Sequence, residues 1–220
     1  MTRLARLRQA VYRFLSAVFL YPTEKRFRGL VTSARVLRRE RGFAGFAYYS
    51  PWESLLRLLA EEPPELFALQ EEYVRLFGIE WRGPRCPPYA SWYLDPDALG
   101  IRIRGELVRE YASAGLVPAP EGSEPPDHLS VELEFMACLC GREAEAWQRA
   151  WTKEAVELLR REWGFLERYL NPWIPDFARR LREEEVAAVY RAGAAACEAF
   201  VLHEGDLVRT CLDFLCEVHP

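Results

Sequence analysis

At 220 residues, half of them apolar and with a formal net charge of −4, the chain can bury a core without disulfides or a structural metal, and it lacks the positive field that holds nucleic-acid phosphates. No apolar run approaches the roughly 18 residues that a membrane span needs. The arginine-bearing N-terminus is broken by Arg13 and lacks a small-residue cleavage site, so a cytoplasmic protein with no stable membrane insertion is expected.

The first periodic segment, residues 3 to 20, places Leu4, Leu7, Val11, Phe14, Leu15 and Val18 at steps of three and four, the pattern of an amphipathic helix ended by Tyr21-Pro22. Thr23 is the expected N-cap of a second helix running toward Gly42. Ser50-Pro51 opens a third, and Pro63-Pro64 introduces a fourth whose apolar face carries Leu66, Leu69, Tyr73, Leu76 and Phe77. From Gly78 to Pro96 the periodicity stops, and prolines alternate with Trp81, Tyr89, Trp92 and Tyr93. This reads as an ordered aromatic loop, since disordered linkers are poor in aromatics.

A helix over 96–115 then leads to the proline-rich stretch 117–126, expected to join two halves of one bundle rather than two domains. The remainder predicts helices over about 127–141, 143–169, 172–183 and 185–216, with a break at Gly205. No β alternation or hairpin signal occurs. The expectation is an all-α, single-domain bundle of nine to ten helices.

Six cysteines, Cys86, Cys138, Cys140, Cys197, Cys211 and Cys216, are expected to be buried free thiols in a chain of this size. Cys138 and Cys140 stand two apart on a helix, pointing about 200° apart around its axis. With no CxxC, HExxH or helical ExxH pair, neither a metal site nor a cofactor is expected.

Glu124-Pro125-Pro126-Asp127-His128 joins the linker to the next helix. Asp127 is the natural N-cap, and His128 would follow at the first helical position with its ring near the surface. A carboxylate beside an imidazole could serve a hydrolase, yet no GxSxG nucleophile turn is present and no phosphate loop supports a nucleotide-using enzyme. Recognition of another polypeptide suits these residues better. Asn171-Pro172-Trp173 reads as a helix start, with Asn171 capping, Pro172 setting the first turn and Trp173 in the core.

Four segments in order, Glu72-Tyr73-Val74-Arg75-Leu76-Phe77, Pro87-Pro88-Tyr89-Ala90-Ser91-Trp92-Tyr93, Glu124-x-x-Asp127-His128 and Asn171-Pro172-Trp173-Ile174-Pro175-Asp176-Phe177, resemble the signature of the TorD/DmsD/NarJ family. These are chaperones that mature molybdenum-cofactor oxidoreductases. The resemblance covers roughly residues 70 to 180, and Ala90 and Tyr169 depart from the family pattern.

It implies a helical chaperone without a cofactor of its own. Such a chaperone binds the oxidoreductase apoenzyme and its twin-arginine signal peptide, supports cofactor insertion and holds back premature export. Two guanidiniums followed by an apolar stretch call for carboxylates beside an apolar groove. Glu124, Asp127, His128, Tyr89, Ser91 and Trp92 are the candidate peptide-binding residues. The alternatives are an enzyme built on Asp127 and His128, or a permanent helical subunit of an oxidoreductase complex. The client, and whether the chain is a monomer or a homodimer, are open at this level.

Overall fold

The computed structural model describes residues 1–78, 84–97, 100–117, 124–185 and 187–218, with side chains through 215. Ten helices occur among them: α1 (Thr2–Val18), α2 (Glu24–Leu37), α3 (Tyr49–Glu61), α4 (Leu66–Phe77), α5 (Ala90–Leu94), α6 (Ile101–Ser113), α7 (Leu129–Gln148), α8 (Thr152–Phe165), α9 (Ile174–Glu183) and α10 (Ala188–Val218). The described residues contain no strand, only an isolated antiparallel bridge between Tyr89 and His128. The all-α expectation therefore holds, and no described helix is long and apolar enough to cross a membrane.

The apolar stripe of α1 explains the packing. Ala5, Val11, Tyr12, Phe14, Leu15 and Val18 are buried, and the helix lies along α7, with α10 and α8 closing around the pair. Gly141 makes room for the Gln9 side chain of α1, because a Cβ there would collide with its amide. That same glycine was the expected end of the helix. Instead α7 continues to Gln148, and the chain turns at Ala150, whose φ of 57° is left-handed. A glycine buried against a neighbouring helix keeps its hydrogen bonds and its contact, which offsets its poor helix propensity.

Similar reasoning removes the expected break at Gly205. It lies within the unbroken α10, where Asn171 would press on a Cβ. At the third helix the start shifts to Tyr49, with Pro51 still in the first turn. Thr23 caps α2 as expected, its side chain accepting from Arg26 N–H at 3.3 Å.

The stretch expected as an aromatic loop contains the short helix α5, too brief to show periodicity in sequence. Its Trp81, like Pro118, Pro120 and Gly122 of the proline-rich stretch, lies outside the described residues. Cys86, Cys140 and Cys197 are buried free thiols, whereas Cys138 and Cys211 are only partly buried; the Cys216 side chain is not among those described.

Candidate functional site

The start of α7 is built differently from the expected cap. His128, not Asp127, is the N-cap, and its Nδ1 accepts the Ser130 backbone N–H at 3.1 Å. Its ring is fully buried rather than near the surface. The cause lies in the segment packed against it. Ala90 N–H donates to the Asp127 carbonyl and Leu129 N–H to the Pro88 carbonyl, each at 2.8 Å, and the Tyr89 ring stands edge-on to the imidazole at 5.2 Å. Two prolines on each side leave the backbone few alternatives to this clasp.

Asp127 is freed from capping and turns the other way. Its carboxylate accepts from Arg104 Nε at 2.8 Å and from Ser91 N–H at 3.4 Å, and it is wholly buried. Arg104 is brought there by Gly100, whose φ of 75° starts α6 and which lies so close to Ser91 that a Cβ would clash. Arg104 was invisible as a site residue in the sequence. It stands 23 positions from Asp127 in an ordinary charged helix, and only the fold joins them.

Glu124 occupies the outer side of the clasp, with its side chain 32% exposed and Oε2 3.9 Å from His128 Nε2. Partial burial raises its carboxyl above the usual range, opposed by the Arg26 charge. The same carboxylate lies close enough to the Tyr73 and Tyr89 phenols to add to the upward push that burial gives them. His128 is held neutral in the other direction. Burial pulls its pKa down to about 4, outweighing the Asp127 anion. Because Nδ1 accepts a hydrogen bond, the neutral ring carries its proton on Nε2, which has no hydrogen-bond partner and lies nearest Glu124.

The other two signature segments converge on this point. Cys86 N–H donates to the Leu76 carbonyl, tying the end of α4 to the segment before Tyr89. Glu72 chelates Arg75 and accepts the Ala187 N–H at 2.8 Å, fixing α4 to the approach to α10. Trp173, buried as expected, stacks on Tyr93 at 5.3 Å and donates its indole N–H to Glu132 of α7 at 3.3 Å. Neither Asn171 nor Pro172 starts α9, however. Asn171 ends a wide five-residue turn over Leu166–Leu170, Trp173 is the N-cap, and Pro175 supplies the first-turn proline.

Of the six sequence candidates, Asp127, His128 and Ser91 are therefore buried, Glu124 and Tyr89 are partly exposed, and Trp92 is 44% exposed. Ile101 and Val108, one turn to either side of Arg104 on α6, also face solvent. A nucleophile–base arrangement is poorly served here. Ser130 Oγ does lie 2.6 Å from His128 Nδ1, but both side chains are buried, and that nitrogen already accepts a backbone N–H.

The fold is all-helical, with the signature segments gathered toward the start of α7, and comparison with known proteins identifies the family. Residues 47–179 match the family model described as nitrate reductase delta subunit, and the chain belongs to this family. It is 35% identical over 112 residues to the selenate reductase assembly chaperone of Thauera selenatis, covering 51% of this chain and 56% of that one. To a chaperone protein TorD of Vibrio cholerae it is 28% identical over 128 residues, covering 58% and 55%. These matches span about half the length of the relatives.

A crystal structure of an Archaeoglobus fulgidus protein assigned to redox enzyme maturation superposes with a TM-score of 0.61 at 24% identity, covering 88% of this chain and 93% of that one, which supports the fold. These relatives are named as chaperones or assembly proteins, not as catalysts.

Proposed function

We propose that the protein is a cytoplasmic maturation chaperone that binds the apo form of a molybdenum-cofactor oxidoreductase, including its twin-arginine signal peptide, until the cofactor is in place. The observation that carries this reading is the surface around the clasp. A partly buried carboxylate, Glu124, stands beside two phenols, while Trp92, next to Ser91, and Ile101 and Val108, a turn to either side of Arg104 on α6, are exposed. A guanidinium suits the first and an apolar helical stretch the second.

In this reading Glu124 is the carboxylate that meets the client's arginine, and Tyr89 and Trp92 contact its apolar part. Asp127, His128 and Ser91 act from behind as positioning residues, because Asp127 already holds a guanidinium of its own chain and His128 spends Nδ1 on the helix start.

Calorimetry with a synthetic peptide bearing two adjacent arginines before an apolar helical segment tests this. The reference is the same peptide with both arginines replaced by glutamine. The arginine peptide is expected to bind more tightly, and Glu124→Gln to remove most of that preference without lowering the melting temperature. Equal affinity for the two peptides would overturn the reading.

A further inference from the structure

Four helices meet at Arg8, far from the clasp. Its guanidinium donates through Nε to Glu204 Oε2 at 2.7 Å, and through its two terminal nitrogens to Glu143 Oε2 at 2.8 Å and Glu162 Oε2 at 2.5 Å. The arginine comes from α1 and the carboxylates from α7, α8 and α10, and none of the four side chains is more than 3% exposed. When ionised, the group carries two more negative than positive charges. Such an imbalance is costly in an interior that stabilises ions poorly.

Further observations point to a missing positive partner. The second oxygens of Glu162 and Glu204 and the Tyr12 hydroxyl are buried without a hydrogen-bond partner. Cys140 stands one turn before Glu143 on the same face of α7, and its sulfur and one oxygen each of Glu143 and Glu162 all lie within 4.8 Å of one another.

We infer that this junction is a structural binding site for one thiophilic divalent cation of the zinc type, held by Cys140 Sγ and by carboxylate oxygens of Glu143 and Glu162. Glu204, held by Arg8 at 2.7 Å, adds negative charge beside this three-ligand set, and the fourth tetrahedral position is open. The sulfur selects zinc over magnesium or calcium, which prefer all-oxygen shells. Coordination takes the thiol proton to solvent, so the bound group, with three carboxylates, one thiolate, one guanidinium and the dication, retains a single excess negative charge. Arg8 orients the carboxylates from outside the ligand shell.

Protons are the competing remedy, and burial does push Glu143 and Glu162 upward, the latter to about 8. Yet a proton on Glu162 Oε1 would sit on an atom with no acceptor in reach. It would exchange an unpartnered acceptor for an unpartnered donor, which a metal ion does not. A site this buried fills as the helices assemble, so binding and folding are coupled.

The test uses the full chain, unfolded in chelator and refolded with or without zinc chloride, then dialysed and analysed for metal. Wild type is expected to retain about one equivalent of zinc, to melt several degrees higher with it, and to show a thiolate-to-metal charge-transfer band when refolded with cobalt. Cys140→Ala should lose the band, the retained metal and the thermal shift together. Wild type that retains under about a tenth of an equivalent and shows no cobalt–thiolate band would overturn the site in favour of protons. Equal metal in wild type and Cys140→Ala would overturn it in favour of other ligands. If Cys140→Ala fails to fold, Cys140→Ser replaces it, and the wild-type cobalt band alone still decides.

Discussion

His128 begins α7 with its ring wholly excluded from water, and that exclusion, more than the neighbouring Asp127 anion, sets its protonation. An unfolded chain takes up the imidazole proton near pH 6.5. The native chain does so only near 4. Between these values the unfolded state holds more protons, so stability must fall as pH falls through that window and be fully present above it. The 2.5-unit gap between the two values corresponds to on the order of 3 kcal/mol. Denaturant titrations at intervals from pH 7 to 4 should show this loss in wild type and a flatter profile in His128→Asn; parallel profiles would count against the coupling.

At the same scale, the sequence made Asp127 the cap because an acid before an apolar run usually is one. What overrode it was tertiary. Arg104 and the Ser91 N–H offer the carboxylate two donors in the interior, and the imidazole nitrogen takes over the first-turn N–H.

At the level of elements, helices with a long one-sided apolar stripe were legible, α1 and α4 above all. The misread boundaries share a cause. Gly141 and Gly205 look like helix ends, but in each the space a Cβ would take is filled by a side chain from elsewhere, Gln9 of α1 and Asn171. Conversely, α5 has only five residues and is held by the clasp rather than by a stripe of its own. Arg8 could not be recognised either, since one arginine among several on an N-terminal helix carries no sign that three glutamates up to 196 residues away will surround it.

Its burial leads to a second prediction. In the metal-free protein Arg8→Leu leaves three carboxylates at the junction of four helices without their cation, and uncompensated buried charge of this kind costs about 3–5 kcal/mol. Urea unfolding should show that loss. Adding Glu204→Gln should restore part of it, because residues in one network couple and the second change removes one of the stranded charges. If the two losses simply add, the charges are not interacting.

For the molecule as a whole, the four signature segments are separated by as many as 99 residues in sequence, from Glu72 to Asn171, and the fold brings them to one end of α7. Their order was legible from sequence; their convergence, and the division into buried clasp and exposed rim, was not. That division predicts how affinity is distributed. Glu124 is partly exposed, so the ion pair proposed with a client arginine would be screened and worth about 1 kcal/mol or less, a loss of a few fold on Glu124→Gln that shrinks further in high salt. Trp92 offers a large apolar face, the residue type that dominates binding energetics, so Trp92→Ala should cost about 2 kcal/mol, roughly thirtyfold, and be nearly indifferent to salt. Calorimetry on both variants at low and high ionic strength separates the two contributions. Salt dependence unchanged by Glu124→Gln would place the charge contact elsewhere.

The same partition separates a chaperone from a permanent subunit. If the rim grips a segment available only in the immature enzyme, pull-down on the tagged chain should recover apoenzyme from cells starved of molybdenum and much less enzyme from replete cells. A tenfold difference in affinity between the two forms corresponds to about 1.4 kcal/mol, within what loss of the Trp92 contact alone supplies. Equal recovery of apo and cofactor-loaded enzyme, resistant to Trp92→Ala, would instead mark a subunit that stays with the mature complex.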